Sequence, residues 1–232
     1  MVFLASCLAI FSWNASPLDW GKQLYLDTKY VVSSPTRWNR SDWLNFSLTM
    51  GTAGGLMSVD ERIRNFVQTN QSPTSDKLAD IFNPLGAEGA VIILGGMYLG
   101  GYVTNNEKLK KIAILGSESA IISGMIVMTI KILVGRNRPY KEKGAFAWVG
   151  PSISGDCHSF PSGHTSTAFS IASSIADECE NPLIDILAYG VATTVGLCRI
   201  YKDKHWGSDV FVGALIGTFV GKTLVRLKKT TK

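Results

Sequence analysis

Six long, mostly apolar stretches follow one another along the chain after residue 42. They cover residues 43–59, 89–104, 112–134, 162–176, 186–198 and 210–221. Each is longer than the roughly four to eight residues of an ordinary strand, and none alternates between apolar and polar with a period of two. The pattern therefore predicts six helices and an all-α fold, a six-helix bundle. Glycines clustered at 51–55 and 95–101 are expected to allow close helix–helix contact.

The segments between these stretches are polar and carry turn signals. Residues 60–85 are amphipathic, and residues 135–161 form one long polar loop that contains Arg138-Pro139 and Gly150-Pro151. The sequence predicts that this loop is the most elaborate connection of the bundle.

The first 42 residues differ from the rest of the chain. Residues 1–13 are apolar but shorter than the about 20 residues of a bilayer span, and they resemble the apolar part of an export signal. A polar, Trp-rich stretch follows. We therefore predict an N-terminal export-signal-like segment and polar lead-in over 1–42, and one domain over 43–232.

The composition leaves both a membrane protein and a soluble protein open. Hydrophobic residues make up 46% of the chain and charged residues 18%, which is apolar for a soluble enzyme. The mean hydropathy of +0.15 is nevertheless low for a chain that lies mostly in lipid. The net charge is +5, and much of the basic charge falls at 108–111 and 226–232. No aromatic residues interleave with these clusters, so we expect no nucleic-acid partner.

Chemically reactive side chains fall in three short pieces. These are Lys131 with Arg138-Pro139, the run Pro161-Ser162-Gly163-His164, and Arg199 with His205 and Asp209. Each piece lies at an end of a predicted helix. In an up-and-down bundle the end of one helix and the start of the next lie on the same side. We therefore expect all three pieces to meet at one end of the bundle.

The residue types suit phosphoryl transfer. Lys131, Arg138 and Arg199 are cations that can hold phosphoryl oxygens as negative charge spreads over them in the transition state. Ser162 stands as the N-cap of the fourth predicted helix, whose first N–H groups attract anions. Gly163 permits close approach of the backbone.

The histidines supply the remaining chemistry. A neutral, oriented histidine can act as a covalent nucleophile, and Asp209 lies four residues after His205 on the same face of a helical turn. Asp209 could therefore hold the imidazole tautomer. His164 is then free to protonate the leaving oxygen. His158 falls outside this pattern and is expected to be a structural residue.

These residues and spacings resemble the three-part signature of the phosphatidic acid phosphatase type 2 (PAP2) and haloperoxidase superfamily, K-x6-RP, PSGH and SR-x5-H-x3-D. The one departure is Cys198, where the family usually has serine. The signature spans residues 131–209, and the helical layout extends the resemblance to roughly residues 43–227.

The resemblance implies a phosphatase that needs neither metal nor cofactor and works through a phosphohistidine. It implies that His205 is the nucleophile, Asp209 its orienting residue and His164 the general acid. It also implies a phosphate pocket made of Lys131, Arg138, Ser162, Gly163 and Arg199.

Several functions fit this chemistry. The first is hydrolysis of a lipid phosphate monoester or diphosphate, such as phosphatidate, phosphatidylglycerophosphate or an isoprenyl diphosphate. The others are a periplasmic acid phosphatase for soluble substrates, a vanadium haloperoxidase, and a non-catalytic lipid-binding protein that keeps the fold.

The layout favours an integral membrane protein of the cell envelope, as in the membrane-bound branch of the family. If the helices span, residues 108–111 and the basic tail share one side. The positive-inside rule makes that side cytoplasmic and places the catalytic end outside. A soluble or peripheral periplasmic enzyme is the alternative, since several charge-free stretches are short for a span.

Overall fold

The computed structural model describes residues 17–230, and the apolar run 1–13 lies outside the described residues. Eight α-helices occur within this part of the chain. They are α1 (Pro17–Val32), α2 (Arg40–Thr69), α3 (Pro73–Phe82), α4 (Glu88–Val103), α5 (Glu107–Val134), α6 (Gly163–Cys179), α7 (Pro182–Tyr201) and α8 (Gly207–Thr230). No strand is found between residues 17 and 230. The all-α prediction is confirmed, and the six predicted stretches lie in α2 and in α4 to α8.

Two helices were not among the six predicted. Helix α3 lies in the segment 60–85, and α1 lies in the polar lead-in. Trp20 of α1 packs against Ile121, and Val31 packs against α5 and α8. The apolar residues of α1 that make these contacts recur at helical spacing between polar residues. In the sequence this helix therefore appears as an amphipathic pattern and not as a continuous apolar run.

Helix α6 lies at the centre of the bundle and packs against α5, α7 and α8. Its contact with α8 is close because Gly213, Gly217 and Gly221 face it at successive turns. A Cβ atom on these glycines would lie 2.5, 2.2 and 2.6 Å from backbone oxygens of the α6 segment. The glycine face of α8 therefore fixes how α6 and α8 meet.

The glycines expected to bring helices together are only partly involved. A Cβ on Gly51, Gly54 or Gly55 of α2 would meet nothing within 4 Å, so that expectation is wrong for α2 within the described chain. A Cβ on Gly101 would lie 2.8 Å from the Lys110 side chain, where α4 meets α5. Close contact thus depends on which helix face a glycine occupies, which the run of glycines does not reveal.

Three helices, α5, α7 and α8, are long and apolar enough to cross a membrane. The segment Pro73–Gly86 and α4 qualify together as a fourth candidate span, which is broken and bent by 62°. The bend matters for the site because Asn83 and Gly86 lie at it.

The two basic clusters lie together at one end of the bundle. Lys111, near the start of α5, pairs with Glu178 near the end of α6 at 2.6 Å. Lys229, at the end of α8, pairs with Glu180 at 2.8 Å. The opposite end of the bundle holds the end of α5, the start of α6, the end of α7 and the start of α8, where the predicted site residues lie.

Candidate active site

The three predicted pieces meet at one end of the bundle. The Ser162 N–H donates to the backbone oxygen of Asp209 at 2.9 Å, which joins the start of α6 to the start of α8. A Cβ on Gly163 would lie 3.9 Å from Cε of Lys131 at the end of α5. The convergence expected from helix ends is therefore present in the structure.

His205 and Asp209 form a buried pair. Nδ1 of His205 lies 3.6 Å from Oδ2 of Asp209, and their side chains are 3% and 0% exposed. The same Oδ2 accepts bonds from the Ser159 hydroxyl at 2.5 Å and the Trp206 N–H at 2.9 Å. The carboxylate is thus fixed in place beside an imidazole whose Nδ1 has no hydrogen-bond partner. A proton on Nδ1 would face the carboxylate, and Nε2 would then carry the lone pair.

The three predicted phosphate-binding cations are held by neutral acceptors. Nζ of Lys131 donates to the backbone oxygen of His158 at 2.6 Å, and Nε of Arg138 donates to that of Gly155 at 3.0 Å. Arg199 donates through Nη1 to the amide oxygen of Asn83.

No carboxylate among the described residues lies within ion-pair distance of any of these three cations. Lys131 and Arg199 are also buried, at 6% and 7% exposure. A desolvated cation attracts an anion more strongly than an exposed one does.

The start of α6 lacks a side-chain cap on its backbone. Ser162 occupies the N-cap position, as expected, but its hydroxyl accepts a bond from Thr165 at 2.8 Å and makes no capping bond to the backbone. The first N–H groups of the helix are therefore free of a side-chain cap and open to an anion.

His164 lies in the first turn of α6 against the bend between α3 and α4. A Cβ on Gly86 would lie 2.8 Å from Cβ of His164, so only glycine fits there. Burial, and after it the positive charges of Arg199, Arg138 and Lys131, together lower the pKa of His164 to about 3. A bound phosphate dianion would offset those charges and favour the protonated imidazole, which a general acid requires.

Burial also lowers the pKa of His205 to about 3, with the contact to Asp209 opposing the shift. The imidazole is therefore neutral at ordinary pH, which is the form that can attack phosphorus. A phosphohistidine formed at Nε2 would place positive charge on a ring already paired with a carboxylate.

The side chains of the site that the sequence analysis missed include Arg136, Asp60 and Asn83. Arg136 donates from Nη1 to Oδ1 of Asp209 at 2.6 Å and from Nη2 to Oδ2 of Asp60 at 2.8 Å. Asn83 contacts Arg199, as described above. The available signals were weak: Arg136 stands two residues before Arg138, and Asp60 is the first charge after the charge-free stretch 43–59.

The sequence profile of the PAP2 superfamily matches residues 114–232. This chain belongs to the PAP2 superfamily. The match covers most of α5 and all of α6 to α8, and it contains all three signature pieces. The resemblance recognised in the sequence is therefore confirmed at the level of the family.

A curated relative and two crystal structures extend this result. The lipid A 1-phosphatase of Porphyromonas gingivalis is 30% identical over 184 residues, which cover 77% of this chain and 37% of that protein. The chain thus spans little more than a third of that relative's length. LpxE of Aquifex aeolicus superimposes with a TM-score of 0.55 at 27% identity, covering 71% of this chain and 93% of that one.

The second crystal structure is a transmembrane PAP2-type phosphatidylglycerolphosphate phosphatase from Bacillus subtilis. It superimposes with a TM-score of 0.57 at 17% identity, covering 81% of this chain and 95% of that one. At this identity the likeness concerns the fold. Helices α5, α7 and α8 of this chain are, by length and composition, candidates to cross a membrane.

Proposed function

We propose that this PAP2 protein is a metal-independent phosphatase that hydrolyses a lipid phosphate monoester or diphosphate through a phosphohistidine on His205. One observation carries the proposal: a buried histidine, paired with a fixed carboxylate, lies at the same end of the bundle as three cations that form no ion pair with a carboxylate of the described residues. Its relatives' names point to the same class of reaction.

In the first step, Lys131, Arg138, Arg199 and the start of α6 hold the phosphoryl oxygens. Nε2 of His205 attacks phosphorus, and the bond from phosphorus to the leaving oxygen breaks. His164 donates its proton to that oxygen. Asp209, whose Oδ2 lies 3.6 Å from Nδ1, faces the Nδ1–H group and stabilises the positive charge that develops on the ring.

In the second step, a water molecule attacks the phosphohistidine. His164, now neutral, accepts the proton of that water, the bond from Nε2 to phosphorus breaks, and inorganic phosphate leaves. The three cations stabilise the transferring group in both steps, which is the part that a metal ion plays in other phosphatases.

An apolar cavity supports a lipid substrate. It has a volume of about 710 Å³ and lies between α1, α2, α5 and α8. Its lining includes Ile130, the neighbour of Lys131, and Val212, three residues after Asp209. The cavity is thus an apolar surface on the same two helices that carry Lys131 and Asp209, and we propose that it receives an acyl or isoprenyl chain of the substrate.

We further propose that the site faces the outside of the cytoplasmic membrane. Both basic clusters lie at the opposite end of the bundle, where the positive-inside rule expects the cytoplasm. Labelling of a single cysteine introduced at Lys204, by a membrane-impermeant maleimide in intact cells, tests this orientation. Labelling only after the cells are broken would reverse it.

The test of function is phosphate release from a panel of lipid phosphates and from p-nitrophenyl phosphate, in excess EDTA. The purified protein, the His205→Ala variant and a His158→Gln control are compared. EDTA-resistant turnover that only His205→Ala loses would support the proposal, and the preferred substrate would separate lipid from soluble chemistry. A His205→Ala protein with near-normal turnover would overturn the nucleophile assignment.

A further inference from the structure

Arg136 has a guanidinium group that is fully occupied inside the protein. Its side chain is 1% exposed. Nε and Nη2 donate to the backbone oxygen of Ala145 at 2.9 and 2.6 Å, and Nη1 donates to the Ser208 hydroxyl at 2.7 Å. The remaining bonds go to Asp60 and Asp209. No N–H remains for a substrate, so Arg136 is not a fourth phosphate-binding cation.

Two aromatic rings shield this guanidinium from water. Its central carbon lies 5.0 Å from the ring centroid of Trp148 and 5.4 Å from that of Trp206. The indole N–H of Trp206 donates to the backbone oxygen of Asn137 at 3.0 Å, which fixes that ring. Charges in such an environment act on one another more strongly than they would in water.

Asp60 links helix α2 to the start of α8. Its Oδ1 accepts the Ser208 N–H at 2.9 Å, and its Oδ2 accepts both the Ser208 hydroxyl and Arg136. The carboxylate is 0% exposed. It is a buried charge in a helix whose preceding stretch is apolar, which is costly unless it is paired.

The charges of this cluster leave one negative charge beside the nucleophile. Asp60 and Asp209 each contribute −1 and Arg136 contributes +1, so the sum is −1. With Arg136 and Asp209 alone the sum would be zero. The other charged groups that act on His205 are Lys131 and Arg199, both positive, so Asp209 is the charged group that favours a cationic imidazole.

We propose that Asp60 and Arg136 are positioning residues for His205: Arg136 fixes the carboxylate of Asp209, and Asp60 shares the charge of Arg136 so that Asp209 remains an effective anion. The inference rests on the proposed function of His205 as nucleophile. It adds a helix outside the matched family region to the machinery of the site.

The charge count gives a specific test. Asp60→Asn leaves a cluster of net charge zero, and we expect kcat to fall about ten- to a hundred-fold with little change in KM, since the phosphate-binding cations are untouched. The double variant Asp60→Asn/Arg136→Gln returns the cluster to −1, and part of kcat should return. A merely structural role predicts instead that the double variant is no better than the single one.

Glu61→Gln is the matched control. Glu61 is the next residue on α2 and accepts the Ala145 N–H at 3.0 Å, but it forms no hydrogen bond or ion pair with Arg136 or Asp209. Its removal should leave kcat close to wild type. If Asp60→Asn does not fold, Arg136→Lys is tested in its place. This variant keeps the positive charge but lacks the guanidinium group that donates to both carboxylates.

The outcomes separate the two proposals. The positioning role would be overturned if Asp60→Asn or Arg136→Lys had the same kcat as Glu61→Gln. It would also be overturned if the double variant were no faster than Asp60→Asn. In both cases His205→Ala would still be inactive. Absence of turnover and of a phosphohistidine in the wild type would instead overturn the proposed function itself.

Discussion

Replacing Gly213 by alanine tests how tightly the two halves of the site are joined. Gly213 lies one turn after Asp209 on α8. A Cβ at this position would lie 2.5 Å from the backbone oxygen of Ser162 and 3.3 Å from its Cβ. Ser162 is the residue whose N–H bonds to the backbone of Asp209. Backbone atoms of two helices meet here, so no flexible side chain can move aside.

The size of the effect follows from this distance. Real Cβ contacts essentially never fall below 3.0 Å, so the start of α6 must move away from α8 by at least the difference between 3.0 and 2.5 Å. A displacement of about 1 Å at a reacting centre can cost about 10²-fold in rate, so roughly half of that predicts about a tenfold loss. Overpacking of this kind also costs about 1–3 kcal/mol of stability.

The assay measures kcat and the thermal midpoint of the purified variant. Gly217→Ala is the positional control, because its Cβ would lie 2.2 Å from the Ser166 oxygen, one turn further from the site. It should lose stability with a smaller loss of kcat. Gly124→Ala, with nothing within 4 Å, should change neither by much. A Gly213→Ala protein with wild-type kcat would refute the account of how α6 and α8 are joined.

Three further predictions concern the pocket and its chemistry. Asn83→Asp places a carboxylate beside the Arg199 guanidinium, which then competes with the substrate phosphate for that cation. KM should rise by about tenfold, which corresponds to the loss of roughly one charge-assisted hydrogen bond, and kcat should change less. An unchanged KM would show that Arg199 does not bind the substrate. Because folding lowers the pKa of both His164 and His205 from 6.5 to about 3, their contribution to stability is complete above pH 6.5 and is lost as the pH falls toward 3. Between pH 6.5 and pH 3 the thermal midpoint should fall less in His205→Gln than in the wild type. An equal fall in both proteins would contradict the lowered pKa of His205. Activity in excess EDTA should match activity in buffer, and a strict requirement for added Mg²⁺ would contradict the role given to the cations.

The sequence predicted the parts of the fold that show as long apolar runs and the parts of the site that show as spaced motifs. The pieces around Lys131, His164 and His205 could be placed at one end of the bundle because each lies at a helix end. This inference needs only the order of the helices. It does not depend on how their side chains pack.

The remaining parts depend on contacts between distant segments. Asp60 and Arg136 are 76 residues apart, and Asn83 and Arg199 are 116 apart. Nothing in the local sequence pairs them. Helix α1 was likewise missed because its apolar residues are few and periodic, and its packing against α5 and α8 exists only in the folded bundle.

The central claim is that His205 carries the phosphoryl group during turnover. The most direct measurement is rapid quenching of the enzyme in alkali with a ³²P-labelled substrate from the panel, followed by mapping of the labelled peptide. We predict an acid-labile, alkali-stable phosphate on His205, absent in His205→Ala, and formed about 10²–10⁴-fold more slowly in His164→Ala. Rapid turnover with no such adduct, or an adduct on another residue, would contradict the account.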